Sequence, residues 1–221
     1  MYIKEDLLRG VFARDMSNVK YDTEEDTFTF TFQELGILRL PTGKIVANDP
    51  MMNYQTDAFC TSVEPGSYPV EICVAANEVD DKRVAAAMIR FSDNAPERFE
   101  MALVEIDKGR DLSDLGDDDF LGYGVDAGTG GFYDASAAQQ LDKQLEHEIE
   151  DKIPKSEMTI DKMLASTYVP TYSTANFDIP GTEVNVIAFS SGWGDGCYPC
   201  YWGYAKGEDK PCCLITDFLV L

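Results

Sequence analysis

The stretch Thr27-Phe-Thr-Phe-Thr-Phe32 alternates polar and apolar residues without a break. Because successive side chains of a strand point to opposite faces, this alternation predicts a β-strand with Phe28, Phe30 and Phe32 on one face. Further strands are predicted from apolar runs at 35–40, 44–47, 68–75, 83–91, 100–106, 120–125, 184–190 and 213–220. The segment Pro41-Thr-Gly43 is expected to join the strands at 35–40 and 44–47 as a hairpin.

One amphipathic helix stands out among the predicted strands. Apolar residues recur every three or four positions from Ala138 to Ile149, which predicts a helix that continues to Lys152, with Asp134 and Ser136 as candidate caps. A shorter helix is predicted at about 156–166. Strands outnumber helices and do not alternate with them, which disfavours a doubly wound parallel sheet. The predicted fold class is therefore α+β, mostly β, as one domain over residues 1–221 with a sandwich-like antiparallel sheet core.

The charge of the chain is strongly negative. Its 221 residues contain 40 Asp and Glu against 18 Lys and Arg, which gives a formal net charge of −22, and no arginine follows Arg110. Such a surface repels nucleic acids and anionic membranes, because binding them requires Lys and Arg. Cations, metal ions and basic proteins are the partners that this field favours. The alternative is that the acidity serves only to keep the protein in solution.

The chain also carries no recognisable targeting or membrane signal. No apolar run approaches the roughly 18–20 residues of a membrane-spanning helix. The N-terminal sequence MYIKEDLLRG has charges spread through it, unlike a secretory signal. A soluble, cytoplasmic protein is expected.

The six cysteines are expected to be reduced thiols, and only Cys197-Tyr-Pro-Cys200 with Cys212-Cys213 resembles a chemical motif. A zinc site is disfavoured because adjacent Cys212 and Cys213 are expected to point in opposite directions along a strand. A redox pair is disfavoured because no helix is predicted to begin at Cys197. Four buried or half-buried thiols are the favoured interpretation.

Several common catalytic sites are absent from the sequence. His147 is the sole histidine, which excludes zinc sites that need two or three histidines from one chain. Ala188-Phe-Ser190-Ser-Gly192 is similar to a nucleophile elbow, but no histidine follows Ser190 to act as its base. Neither a Gly-x-Gly-x-x-Gly fingerprint nor a phosphate-binding Gly-x4-Gly-Lys-Ser/Thr loop occurs.

Aspartates beside glycines are the remaining chemical feature. Asp126 begins the loop Asp126-Ala-Gly-Thr-Gly-Gly131, and Asp195 lies between two glycines. Carboxylates on tight loops suit hard cations or general acid–base pairs, but an Asp beside Gly also caps turns. The run Asp111–Asp119 fits no EF-hand spacing, and we interpret it as a solvated loop.

Five motifs, taken in order, resemble one protein family. They are Val46-Ala-Asn-Asp49-Pro50, Pro65-Gly-Ser-Tyr-Pro-Val70, Arg98-Phe-Glu-Met-Ala102, Val125-Asp-Ala-Gly-Thr-Gly130 with Asp134, and Ser191-Gly-Trp-Gly-Asp-Gly-Cys-Tyr-Pro199 with Tyr201 and Gly203. The set is similar to the bacterial family catalogued as domain of unknown function 4241, over roughly residues 35–220. The resemblance implies no activity.

The leading functional hypothesis is a soluble binding or interaction module, without a cofactor, for a small polar ligand or a basic protein. Its candidate site consists of Asp49, Arg98, Asp126, Asp134, Ser191, Asp195 and Tyr198. Arg98 is expected to pair with at least one of Asp49, Asp126 and Asp195, since clustered carboxylates need a neutralising cation.

Three alternatives remain open. The first is a hydrolase assisted by Mg²⁺ or Ca²⁺, held by Asp49, Asp126 and Asp195. The second is an acidic protein that neutralises a basic partner, such as a cationic toxin, in the manner of an immunity protein. In the third, Asp126 and Asp195 only cap turns and Arg98 is an internal counter-charge.

Overall fold

The computed structural model describes residues 2–19 and 27–221. Within these ranges it has three α-helices and twelve strands. The helices are α1 (Glu5–Ala13), α2 (Ala138–Glu150) and α3 (Thr159–Thr167). The strands are β1 (Thr29–Leu40), β2 (Ile45–Asn48), β3 (Gly66–Ala76), β4 (Lys82–Arg90), β5 (Pro96–Met101), β6 (Tyr123–Val125), β7 (Thr129–Asp134), β8 (Thr174–Asp178), β9 (Asn185–Ser190), β10 (Gly196–Tyr198), β11 (Cys200–Ala205) and β12 (Pro211–Asp217).

These strands form two main sheets and one small one. The larger sheet has the order β1-β3-β4-β12-β11-β5, and the second has the order β2-β7-β9-β8. Strands β10 and β6 make a separate two-stranded ribbon. Every pairing is antiparallel. The predicted α+β class with an antiparallel core is confirmed.

The two main sheets pack face to face, and helices cover their outer faces. A central core lies between the sheets, a second core lies under α1 on the six-stranded sheet, and a third lies under α2 and α3 on the four-stranded sheet. The layers therefore run α1, six-stranded sheet, four-stranded sheet, then α2 with α3. No helix in the described ranges is both long and apolar enough to cross a membrane.

This layering explains the continuous apolar runs in the sequence. In β9, Ile187 and Phe189 face the central core, whereas Val186 and Ala188 face the helices. Both faces of such a strand are buried, so its sequence does not alternate with polar residues. The same holds for β4, whose alanines had left helix and strand open, and the strand prediction at 83–91 is confirmed.

The strand that begins the larger sheet matches the predicted alternation. Phe28, Phe30 and Phe32 are half-buried, and the threonines between them are exposed. A bulge between Glu34 and Gly36 shifts the register against β3. Such a shift changes which face the following side chains occupy.

Three local predictions need correction. The turn 41–43 does not close a hairpin, because β1 pairs with β3 whereas β2 pairs with β7 in the other sheet. The strand predicted at 100–106 lies earlier, at Pro96–Met101, because pairing with β11 ends at Met101. The predicted apolar face of α2 is buried only as far as Leu145, since Ile149 is 66% exposed.

Candidate functional site

Asp49 organises the loop that follows β6. Because β2 pairs with β7, the residue after β2 lies beside the 126–128 loop that precedes β7. The Asp49 Oδ2 atom accepts the backbone N–H groups of Asp126 at 3.0 Å and Ala127 at 2.6 Å, and Oδ1 accepts that of Met51 at 3.0 Å. The side chain is buried, and burial raises the pKa of Asp49 although these N–H groups oppose the shift.

A second glycine-rich loop contacts the first. Asp195 Oδ1 accepts the backbone N–H of Gly128 at 3.0 Å, and the Ser191 N–H donates to the Gly128 carbonyl at 3.1 Å. The hydroxyl groups of Ser191 and Tyr198 both donate to the Gly194 carbonyl at 2.8 Å. The structure therefore brings Asp49, Asp126 and Asp195 together around residues 126–128.

Asp134 lies away from these loops, at the opposite end of β7. It is fully buried and accepts hydrogen bonds from the Thr42 N–H, the Thr42 hydroxyl and the Ser136 N–H, all between 2.8 and 2.9 Å. These contacts secure the turn after β1 and cap the helical segment that leads into α2. The structure therefore does not bring Asp134 together with Asp49, Asp126 and Asp195, whereas its predicted role as a cap is confirmed.

The predicted pairing of Arg98 with the aspartates is wrong. Arg98 lies on the edge strand β5, where it pairs with Glu100 and stacks over the Tyr204 ring at 3.9 Å. Residues two apart on a strand share a face, which explains the pairing with Glu100. Backbone N–H groups replace the expected cation at Asp49, so that carboxylate needs no arginine.

Two adjoining pockets open beside these loops. The smaller one, which we name the outer pocket, measures about 160 Å³, and the larger one, which we name the inner pocket, measures about 400 Å³. Both are lined by Gln55, whose Oε1 atom accepts the Gly124 N–H at 2.8 Å. We call them together the acidic cleft. The outer pocket is lined by Asp49, Met52, Tyr54, Gln55, Gly124, Val125, Asp126 and Gly196. The inner pocket is lined by Ala47, Gln55, Asp57, Phe59, Ala102, Val104, Ile106, Asp107, Phe120, Leu121, Gly122, Tyr123, Cys197 and Cys200.

Most of the acidic cleft could not be found from sequence motifs. Phe59 belongs to the long connection between β2 and β3. It forms an isolated β-bridge with Val104, and its N–H donates to the Ile45 carbonyl at 2.9 Å. No spacing signal marks residues such as Gln55 or Phe59, because they come from irregular segments. Asp126 is the one predicted residue whose exposed side chain lines the cleft.

All six cysteines are free thiols, and two of them line the inner pocket. Cys200 is buried with its Sγ atom 2.8 Å from Thr216 Oγ1, and burial raises its pKa to about 12. Cys197 is exposed rather than buried or half-buried, and partial burial of its thiol raises its pKa. Strand β11 begins at Cys200, so the motif lacks the helix N-terminus that activates a redox cysteine.

The adjacent Cys212 and Cys213 do not point in opposite directions as predicted. The register of β11 against β12 shifts between Gly203 and Tyr204, which leaves Cys212 as an extra residue in a bulge. Both thiols lie in the core under α1 and interact with each other, and this contact raises the pKa of Cys213. Across the described ranges, no group of three or more His, Cys, Asp and Glu side chains is placed to hold a metal ion.

Comparison with known proteins places the chain in a family without a known activity. The family model described as "Protein of unknown function (DUF4241)" matches residues 38–216, most of the chain. The match covers the acidic cleft and the strands from β2 through β11 with nearly all of β12, whereas α1 and most of β1 lie outside it. No curated protein and no solved structure matches the chain.

Proposed function

The chain belongs to the DUF4241 family, and we propose that it is a binding module whose acidic cleft takes a ligand with both a cationic and an apolar part. The observation that carries this proposal is the lining of the cleft. Four Asp side chains line it and no Lys, Arg or His does: Asp49, Asp57, Asp107 and Asp126. Backbone N–H groups satisfy Asp49, and Asp107 contacts Arg110 at 3.5 Å, so the exposed Asp57 and Asp126 are the carboxylates that remain for a cation. A concave surface with one sign of charge and low-dielectric walls concentrates ligands of the opposite sign.

The apolar part of the ligand is inferred from the inner pocket. Its walls include Phe59, Val104, Phe120, Leu121 and Tyr123. Ligand sites are typically concave and mostly apolar, with a few polar groups that fix the orientation of the ligand. The inner pocket fits this description, and carboxylates line both pockets, Asp49 and Asp126 in the outer one and Asp57 and Asp107 in the inner one.

The cleft is also pre-organised. The Asp49 carboxylate fixes the 126–128 loop, and Gln55 fixes Gly124 by accepting its N–H. These bonds fix the backbone that carries Asp126 before any ligand arrives. Pre-organisation reduces the entropy that binding would otherwise cost.

Binding is favoured over catalysis by the chemistry of the lining side chains. Burial raises the pKa values of the Cys197 and Cys200 thiols, and a protonated thiol is a poor nucleophile. The sole histidine, His147, lies on α2 with its Nε2 atom 3.4 Å from Asp151. It therefore belongs to the helix layer and not to the cleft, so it does not supply a base there.

The test is a titration of isotope-labelled protein with n-hexylammonium, followed by NMR. We expect saturable shifts at Gln55 and at residues 124–128, with a dissociation constant of about millimolar. Hexanol and hexanoate, which have the same apolar body without the positive charge, should bind more weakly.

Variants then locate the charge effect. Asp126→Asn should weaken hexylammonium binding about three- to fivefold, whereas Asp93→Asn, an equal charge change at another exposed position, should leave it within about twofold. Absence of saturable shifts, or an equal loss in both variants, would contradict the proposal.

A further inference from the structure

We infer that the cationic group taken by the acidic cleft belongs to a basic, partly apolar segment of a protein partner. This inference rests on the proposed function and adds the class of ligand. It starts from the loop 111–119, which we call the acidic loop. Its five aspartates are all exposed, and the chain leads from it directly to Phe120 and Leu121 in the wall of the inner pocket.

The acidic loop is held by bonds within itself. The Asp111 Oδ1 atom accepts the Ser113 N–H at 2.9 Å, and the Asp119 Oδ2 atom accepts the Gly116 N–H at 2.9 Å. The Asp119 carbonyl accepts the Tyr2 N–H at 2.8 Å, which ties the loop to the N-terminal segment. The carboxylates are therefore presented from an ordered surface, so their mutual repulsion is relieved when a cationic surface approaches.

The rim of the cleft adds exposed apolar side chains. Ile106 is 80% exposed and Tyr54 is 73% exposed, and both line the cleft. Exposed apolar groups that surround a concave site typically mark a surface for a partner. Tyr54 on one pocket and Ile106 on the other extend the contact beyond the size of a small amine.

Charge complementarity selects the class of partner. Nucleic acids and anionic membranes have the same sign of charge as the acidic loop, so both are repelled. A free amine fits the cleft but cannot reach the loop. A basic segment with apolar residues between its cationic ones matches the carboxylates, the exposed rim and the apolar pocket together.

The experiment uses calorimetric titration with an acetylated and amidated nine-residue peptide that carries four lysines, two leucines and three glycines. We expect the peptide to bind at least about tenfold tighter than n-hexylammonium, because several charges and two apolar groups bind at once. Replacing its leucines with glycine, or its lysines with glutamine, should each weaken binding.

Two triple variants with the same change in charge distinguish binding at the acidic loop from attraction by the overall negative charge of the protein. Asp114→Asn, Asp117→Asn and Asp118→Asn together should weaken peptide binding about fivefold and leave hexylammonium binding unchanged. The control variant combines Glu146→Gln, Glu150→Gln and Glu157→Gln, at exposed positions in α2 and in the segment that follows it. It should change peptide binding by less than about twofold.

The outcomes distinguish this inference from the proposed function. A peptide no tighter than hexylammonium, or equal losses in the two triple variants, overturns the basic-partner inference while the small amine still binds at the cleft. Failure of hexylammonium to bind overturns the proposed function itself. Tight binding of the peptide, with cleft shifts that need a higher peptide concentration to saturate in Asp126→Asn, supports both.

Discussion

The carboxylate of Asp49 accepts the backbone N–H of Ala127 at 2.6 Å, and this bond ties the end of β2 to the loop after β6. The two residues belong to segments 78 positions apart in the chain. A buried carboxylate in a protein with a net charge of −22 is thus satisfied by peptide N–H groups, without a basic side chain. The acidic cleft depends on this arrangement, because the same loop carries Asp126.

Removal of the Asp49 carboxylate should destabilise the protein. Asp49→Ala leaves the N–H groups of Met51, Asp126 and Ala127 without their acceptor, and we expect a loss of about 2–4 kcal/mol in the free energy of unfolding. Asp195→Ala removes one bond at an exposed loop and should cost under about 1 kcal/mol. Urea denaturation of both variants measures the difference, and equal losses would show that Asp49 has no special role.

Asp217 should make stability depend on pH. Burial raises its pKa from 3.8 to about 6, although the Leu219 N–H and the Tyr2 hydroxyl donate to it. The folded protein therefore holds this proton more tightly than the unfolded chain, so its contribution to stability falls as pH rises from about 4 through 6.

Asp217→Asn removes that dependence. The free energy of unfolding of the variant minus that of the parent protein should rise by up to about 3 kcal/mol between pH 4 and pH 8, because only the parent loses a contribution as the pH rises. Denaturation curves at both values measure the change, and Asp93→Asn serves as the exposed control. A difference that does not vary with pH would contradict the buried, proton-binding role of Asp217.

Glu71 should be the main electrostatic link between α1 and the larger sheet. Its buried carboxylate contacts Arg14 at 2.6 Å and Arg90 at 3.1 Å, and Arg90 also donates to the Phe12 carbonyl in α1 at 2.6 Å. We expect Glu71→Gln to lower the free energy of unfolding by about 3 kcal/mol, because it leaves Arg90 without a counter-charge.

The exposed Glu34 provides the matched control for Glu71. It contacts Arg14 at 3.0 Å with a side chain that is 71% exposed, so Glu34→Gln should cost less than about 1 kcal/mol. Hydrogen exchange should show faster opening of α1 in Glu71→Gln alone. Unchanged protection of α1 would mean that apolar packing by itself holds the helix.

The cysteines should differ in their rates of alkylation. Cys60 and Cys197 are exposed, whereas Cys73, Cys200, Cys212 and Cys213 are buried. Iodoacetamide should therefore modify the two exposed thiols of the native protein, and all six only after unfolding. Mass spectrometry identifies the sites, and rapid labelling of Cys200 would contradict its burial.

Divalent cations should have no saturable effect on stability. The Asp49 oxygens accept N–H donors, and Asp195 accepts one as well, which leaves Asp126 to bind a metal almost alone. With Mg²⁺, Ca²⁺ or Mn²⁺ at millimolar levels, we expect the unfolding midpoint to follow ionic strength only. A saturable rise that Asp126→Asn abolishes would instead favour the metal-assisted hydrolase.

The sequence by itself determined part of the interior, although β7 and β8 were not predicted and residues 129–131, which begin the buried strand β7, were interpreted as part of a loop. Apolar runs at 68–75, 83–91, 184–190 and 213–220 correspond to β3, β4, β9 and β12, because strands buried on both faces require continuous apolar residues. The helical spacing after Asp134 likewise predicted α2, since an amphipathic face is a local property. The gathering of Asp49, Asp126 and Asp195 was foreseen, but the reason proposed for it, a shared arginine, was wrong.

Tertiary structure alone decided the rest. Helix α1 was not predicted, although its buried Leu7, Leu8, Val11 and Phe12 recur at helical spacing. The place of α1 is set by the sheet face that it covers. The turn at 41–43 has the same residues whether β1 and β2, which it connects, pair in one sheet or belong to two different sheets. The acidic cleft combines irregular segments from 47–59, 102–107, 120–126 and 196–200. No local pattern encodes their meeting, because the pairing of distant strands brings them together.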